Sequence, residues 1–352
     1  MIHFFPTFSR SAAETAFGET LRRLGVEHRI FAGHVNTRYR SRLGLILYCL
    51  PQFAWFGIRS AFASLLRSHP TPDAVVLGTD IEVAIFGAAK NLFGRRQVRI
   101  VLGSFIFTSR GSPGIDALRR RYYGFILSLA EIAVVHSRLE VERYRAIWPH
   151  LRTRFVFVPY GANIDLRPTL FREAERAGAS TAPPHVVSAG KSARDYRTLF
   201  EAVRGLDTQV RVICDYAGAV PPVPPDSRVT VLADCHGEGY FREVFGAAVV
   251  AIPLAADDIS AGQMVLIQAM GLGRAVVVTD TPTVRDYATD GHDALLVPRG
   301  DPLAMREAIA ALLGDPELRA RLGRNAIETF DRNNGIHGHM QRILAAIATP
   351  QG

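Results

Sequence analysis

Apolar and polar residues fall along this chain in alternating blocks. Candidate strands, most of them short apolar runs, recur at Ile2–Phe5, Glu27–Phe31, Ala74–Leu77, Val98–Leu102, Ile132–Val135 and Phe155–Val158. Most are separated by stretches whose apolar residues stand three and four apart. The runs predict strands and the spaced stretches predict helices. Strand alternating with helix predicts a parallel sheet joined by right-handed crossovers. From Leu166 to Pro184 the pattern fades into polar and small residues ending in Ala-Pro-Pro, which predicts a linker over 166–184. The alternation then resumes, with strands expected at Val186–Ser188, Val210–Cys214, Val229–Leu232, Val249–Pro253 and Ala275–Thr279. The chain thus divides into an α/β domain over 1–165, a second over 185–334 and a last helix within 335–352. No internal repeat or low-complexity tail interrupts this plan.

Composition narrows the class. The 352 residues are 48% hydrophobic and 21% charged, which suits a soluble globular protein with two cores. Cys49, Cys214 and Cys235 lie far apart, so neither a disulfide framework nor a zinc site is expected, and free thiols in a reducing cytoplasm are. The first residues, MIHFFPTFSR, have neither a basic leader nor a long apolar run and read as a first strand ending at Pro6. Charge is uneven. Residues 1–165 hold 22 Lys and Arg against 11 Asp and Glu, and residues 166–352 hold 19 against 22. A basic first half beside a slightly acidic second half points to an anionic surface or partner for the first.

Chemistry concentrates between Ala251 and Asp301. There an apolar strand ends in a loop carrying Asp257 and Asp258, and Ser260, Ala261 and Gly262 open an apolar helix that closes at Gly271-Leu272-Gly273. A small, polar, glycine-containing junction exposes backbone N–H groups at the positive end of a helix and suits an anionic ligand such as a phosphate. Upstream, VVSAGK is a strand ending in Gly190, followed by Lys191 and Arg194. Read alone, those two residues are either ordinary surface cations or phosphate ligands; lysine occurs elsewhere only at Lys90.

These two segments, with TDGHDALLVPRGDPLAMREAIAALLGDPELRARLG after them, resemble the retaining GT-B glycosyltransferases of the large family containing bacterial mannosyl- and glucosyltransferases. The resemblance is close over roughly residues 184–330 and loose before that. It implies a GT-B fold, two Rossmann-like domains facing each other across a cleft, with the last helix crossing back to the first domain. It implies donor-diphosphate contacts at Lys191 and Arg194 and a donor site along Asp258, Ser260, Ala261, Gly262, Gln263 and Gln268. The family has one Glu near the donor sugar and a second on the nucleotide ribose, seven residues apart. Ser260 and Gln268 stand there, so both acids are missing. An amide can still bond a ribose hydroxyl, and Asp258 is the carboxylate nearest in sequence to Ser260.

In the first half, Asp80 follows a strand end, where it either meets a substrate hydroxyl as the catalytic candidate or caps the next helix. The strand end at Gly103-Ser104-Phe105 lacks the His that retaining relatives carry there. The stretch after it, GSFIFTSRGSPG, has no phosphate-loop Lys and reads as a mobile acceptor loop. His136 reads as structural, before a helix-capping Ser137. Residues 28–72 contain no Asp or Glu but hold Arg38, Arg40 and Arg42 and an apolar run with Trp55. With Arg119, Arg120 and Arg121, this predicts a membrane interface; the plain alternative is a buried helix beside a surface loop. No metal motif and no nucleic-acid motif accompanies these cations.

The resulting expectation is a metal-independent glycosyltransferase, without cofactor, that moves a sugar from a nucleotide-diphosphate donor to a lipid-linked or glycan hydroxyl with retention. It would work in the cytoplasm, peripherally on an anionic membrane. The missing acids keep one alternative open, a non-catalytic GT-B protein that binds a glycolipid or partner enzyme, and the shared fold keeps a second, a sugar-nucleotide epimerase.

Overall fold

A computed structural model describes residues 1–6, 16–33, 45–177, 183–214, 217–225 and 227–349. It forms two compact units, Met1–Val158 with the stretch from His339, and Pro159–Gly338.

The first unit holds a six-stranded sheet, β1 (Ile2–Phe5), β2 (His28–Ile30), β3 (Ala74–Leu77), β4 (Arg99–Leu102), β5 (Ile132–Val135) and β6 (Arg154–Phe157), in the order β2-β1-β3-β4-β5-β6. Every pairing is parallel. The β3 and β5 sequences, AVVL and IAVV, are buried at all four positions, as expected for strands covered by helices on both faces. The covering helices are α1 (Ala16–Arg23), α2 (Leu50–Leu65), α3 (Asp80–Leu92), α4 (Pro113–Leu129) and α5 (Arg138–Ile147).

The second unit begins with α6 (Arg167–Ala177). Its strands are β7 (His185–Ala189), β8 (Gln209–Ile213), β9 (Val229–Leu232), β10 (Val249–Ile252), β11 (Ala275–Thr279) and β12 (Leu295–Val297), ordered β12-β11-β10-β7-β8-β9 and again all parallel. Helices α7 (Tyr196–Val203), α8 (Glu238–Gly246), α9 (Gln263–Gly271), α10 (Pro302–Gly314) and α11 (Pro316–Asn333) pack around it. The last helix, α12 (Ile336–Ala348), ends against the first unit's sheet, where the Arg99 guanidinium donates to the Ile347 carbonyl at 2.6 Å.

Two elements differ from the sequence reading. The stretch 166–184, expected as a linker, contains α6. That helix is polar except where Leu170 and Phe171 turn inward, Phe171 packing on Phe245 at 5.5 Å. Strand β12 was not expected, because three residues inside a turn-rich segment leave no period to read.

Candidate functional site

In the second sheet the chain starts at β7 and then runs outward in both directions, to β8 and to β10. In such open sheets ligands bind beyond the carboxyl ends of the strands at this reversal. The loops after β7 and β10 therefore define the candidate site.

The loop after β7 is a built turn. Gly190 has φ +100°, and a Cβ there would meet Arg194 Nη2 at 2.5 Å, so only glycine fits. Ala193 sits at φ +49°, a conformation that costs a non-glycine residue about 1–2 kcal/mol. It is held by cross-links to the β10 loop, Ala255 N to Ala193 O at 2.9 Å and Asp195 N to Pro253 O at 3.1 Å. Asp195 then caps α7 by accepting from Thr198 N at 3.1 Å.

Arg194 lies half-buried across this turn. Its Nε donates to Ala189 O at 2.9 Å and its Nη1 to Ser192 O at 2.8 Å. Burial pushes its pKa down, so the guanidinium is poorly hydrated and gains from any anion that reaches it. Lys191 is exposed and makes no bond or ion pair among the described residues.

The loop after β10 ends at Gly262, whose φ of +88° starts α9; a Cβ there would press on Leu254 and Ile252 at 3.0 and 3.1 Å. The N-cap residue of α9 supplies no side-chain hydrogen bond to its first N–H groups. Threonines hold the loop from below. Thr279 Oγ1 accepts from Leu254 N at 2.8 Å, and Thr283 Oγ1 donates to Ile259 O at 3.2 Å.

Beside these loops is a hollow of about 310 Å³, lined by Gly190, Lys191, Cys214, Cys235, His236, Tyr240 and Gln268 among others. Tyr240 donates its hydroxyl to Gln268 Oε1 at 2.8 Å. That bond occupies the Gln268 oxygen and leaves its NH₂ group as a donor at the hollow.

The predicted donor residues thus separate. Lys191 and Gln268 line the hollow; Arg194 braces its rim. Ala261 and Gly262 lead into α9, Ser260 is buried in the same junction, and Asp258 is exposed on the loop, where its neighbour Asp257 pairs with Arg299 at 3.4 Å. Gln263 keeps its place at the start of α9 through its backbone alone. Its side chain is 1% exposed and donates to Thr283 Oγ1 at 3.2 Å, so only its backbone N–H is available. Sequence reasoning missed Tyr240, Cys214, Cys235 and His236. They come from β8, β9 and α8, and their one signal is a place shortly after a strand.

Residues 249–329 match the family model described as Glycosyl transferases group 1. The whole fold is similar to sucrose-phosphate synthase from Thermosynechococcus elongatus (TM-score 0.67, 17% identity, 98% of each chain covered). It is similar to Anabaena HepE in complex with UDP and glucose (0.63, 14%, 99% of each). A third similar structure is a UDP-forming α,α-trehalose-phosphate synthase from Burkholderia vietnamiensis (0.66, 10%, 99% of each). The family match is confined to residues 249–329, and the fold is GT-B. A curated relative, phosphatidyl-myo-inositol mannosyltransferase of Mycobacterium leprae, is 34% identical over 89 residues. The alignment covers 24% of this chain and 24% of that protein, so the match spans about a quarter of the relative's length.

In the first unit of this GT-B chain Asp80 is not a cap. Thr79 caps α3, accepting from Glu82 N while the Glu82 carboxylate accepts from Thr79 N, and Asp80 follows as the first helical residue. Its carboxylate accepts from Ile81 N at 3.0 Å and from the Tyr122 hydroxyl at 3.1 Å. The loop after β4, expected to be mobile, is anchored. Phe105 and Phe107 are buried among Tyr123, Tyr144 and Trp148, and Asp116 accepts from Arg110 N at 2.8 Å.

Arg119 is half-buried and donates to the Thr108 carbonyl, over the Phe107 and Tyr123 rings. Arg120, Arg121 and Trp55 are exposed. Arg38, Arg40 and Arg42 lie outside the described residues. Trp55, Ile58 and Phe62 form one exposed stripe on α2; Ile115, Leu118, Tyr122 and Phe125 form another on α4. No described helix is long and apolar enough to cross a membrane. No group of three or more His, Cys, Asp or Glu among the described residues is placed to hold a metal.

Proposed function

We propose that this protein transfers a sugar from a nucleotide-diphosphate donor to a hydroxyl on a lipid-linked or glycan acceptor, retaining the anomeric configuration. The observation that carries the reading is that Lys191 and the Gln268–Tyr240 pair line one hollow at the reversal point of the second sheet, while the Arg194 guanidinium lies between Gly190 of its lining and Gly262 at the uncapped start of α9. Two cations and a helix N-terminus match a diphosphate, whose charge grows as the glycosidic bond breaks. Charge stabilised only as it develops accelerates the chemical step. In this mechanism the departing phosphate oxygen takes the proton of the incoming hydroxyl on the same face of the sugar. The absence of acids at Ser260 and Gln268 is then compatible with transfer, because positioning and leaving-group charge do most of the work.

Support for the acceptor class comes from the first unit. Eight large apolar side chains are exposed on α2 and α4, with Arg59, Arg67, Arg120 and Arg121 exposed beside them. An apolar stripe edged by arginines suits peripheral docking on an anionic membrane, and for a lipid-linked acceptor that surface is the cytoplasmic face.

The test is a donor panel. The purified protein is incubated with UDP- and GDP-sugars, with and without a membrane extract, and nucleotide release is measured. Release that needs both a donor and the extract supports transfer. Binding without release, under every combination, leaves a non-catalytic binder. Conversion of a donor with no acceptor present marks an epimerase.

A further inference from the structure

A second polar constellation stands at the carboxyl edge of the first sheet, and the site above does not use it. Ser104 follows β4 and is exposed; His136 follows β5 and is buried. The residues around Ser104 are fixed by backbone bonds, Gly103 N to Leu77 O and Phe105 N to Val134 O, both 2.8 Å. Ser104 Oγ lies 2.8 Å from His136 Nε2, and His136 Nδ1 lies 3.0 Å from the Val158 carbonyl.

This chain of bonds fixes where the hydrogens are. A carbonyl only accepts, so Nδ1 carries the imidazole proton and Nε2 is left as an acceptor. The Ser104 hydroxyl hydrogen must then point inward, at Nε2. Burial, reinforced by His339, holds the imidazole neutral, its pKa pushed down to about 3 against the opposing Val158 bond. An ordinary exposed serine can donate or accept. This one presents lone pairs only.

The adjacent strand repeats that polarity. β3 pairs with β4 through Leu77 and Leu102, and just beyond it stands Asp80, whose two oxygens already accept from Ile81 N and the Tyr122 hydroxyl. A carboxylate oxygen has a second lone pair to offer. Neighbouring strand ends therefore carry two acceptor-only groups.

We propose that Ser104, locked by His136, together with Asp80 forms a polyol-recognition edge that binds a sugar through hydroxyl groups acting as donors. It rests on the glycosyltransferase reading for the claim that a sugar arrives there; the polarity of the pair is a property of this chain alone. His136 is a positioning residue in this scheme: it neither touches the ligand nor takes its proton. A site built this way rejects an analogue in which the contacted hydroxyl becomes fluorine, which cannot donate, because Ser104 and Asp80 are then left facing a group that offers nothing.

The test uses the full chain labelled with ¹⁵N-histidine. Long-range proton–nitrogen spectra between pH 5 and 8 should show His136 protonated at Nδ1 only. Glucose and its 2-, 3-, 4- and 6-deoxyfluoro analogues are then titrated while the His136 Nε2 resonance is followed. Glucose should shift that resonance, and at least one analogue should bind tenfold or more weakly. In Ser104→Ala the glucose affinity should fall by a similar factor and the gap between glucose and that analogue should close. UDP affinity of the wild type is measured in parallel. If UDP does not bind but glucose still shifts His136, the donor reading fails and the edge stands. Protonation at Nε2, no shift with glucose, or analogues that all bind as tightly as glucose would each overturn the proposal. The analogue series on wild-type protein decides even if Ser104→Ala does not fold.

Discussion

Lys191 and Arg194 make different contacts, and their removal should differ accordingly. Lys191 is exposed and unpaired among the described residues, so Lys191→Ala should leave stability within about 0.5 kcal/mol of wild type. A charge-assisted contact to a diphosphate is worth roughly 1.5–3 kcal/mol, so the same change should weaken donor affinity about ten- to a hundredfold. Arg194 has two tasks. It donates to Ala189 O and Ser192 O and covers Gly190. Arg194→Ala loses two bonds of about 0.5–1.5 kcal/mol each and uncovers the turn, a total of roughly 1–3 kcal/mol of folding stability. In a unit of this size each kcal/mol lowers the melting temperature by roughly 2–4 °C. Isothermal calorimetry with UDP and GDP, beside thermal melts of both variants, reads the two effects separately. The reasoning fails if Lys191→Ala binds every nucleotide as wild type does, or if Arg194→Ala loses affinity without any loss of stability.

Three further outcomes are expected. Gln268→Leu should lose nucleotide-sugar affinity by about tenfold, whereas Gln268→Glu, which still accepts from Tyr240, should keep or improve it; equal calorimetric affinity for the Leu variant would reduce Gln268 to helix packing. Acid should unfold the first unit early, because burial holds His3 down at about 4 and His136 at about 3 while both titrate near 6.5 when unfolded. Below about pH 6.5 the unfolded chain then binds protons the native state refuses, so stability falls with pH by up to about 1.4 kcal/mol per unit for each imidazole down to those values; urea midpoints that coincide at pH 7 and pH 5 would contradict this. Flotation with anionic vesicles should be strong at low salt, weaker at high salt, and largely abolished by combined Trp55→Glu and Leu118→Glu; equal flotation of that variant would remove the α2 and α4 stripes from the membrane contact.

How much of this was legible in the sequence depends on what kind of physics fixes each feature. Eleven of the strands were read from the sequence, most of them because a parallel sheet buried on both faces demands continuous apolar runs such as AVVL and VVAI. Strand β12 is too short to show a period, and α6 hid because only one side of it is covered. The donor loops were legible as glycine and cation positions. Their meeting depends on sheet order: Gly190 and Gly262 stand together because β7 pairs with β10, although 72 positions separate them in the sequence. Side-chain direction was least legible. Gln263 and Gln268 lie on one apolar helix, QMVLIQAMG, in which seven of nine residues are buried, so no amphipathic period says which amide faces inward. Thr283 and Tyr240 decide it, one drawing Gln263 into the core and the other holding Gln268 at the hollow. The Ser104–His136 couple failed for the same reason. Each residue taken alone is a serine without the expected histidine and a histidine ahead of a cap. Only the register that places β4 beside β5 brings the imidazole beneath the hydroxyl and gives the strand end a fixed hydrogen-bond polarity.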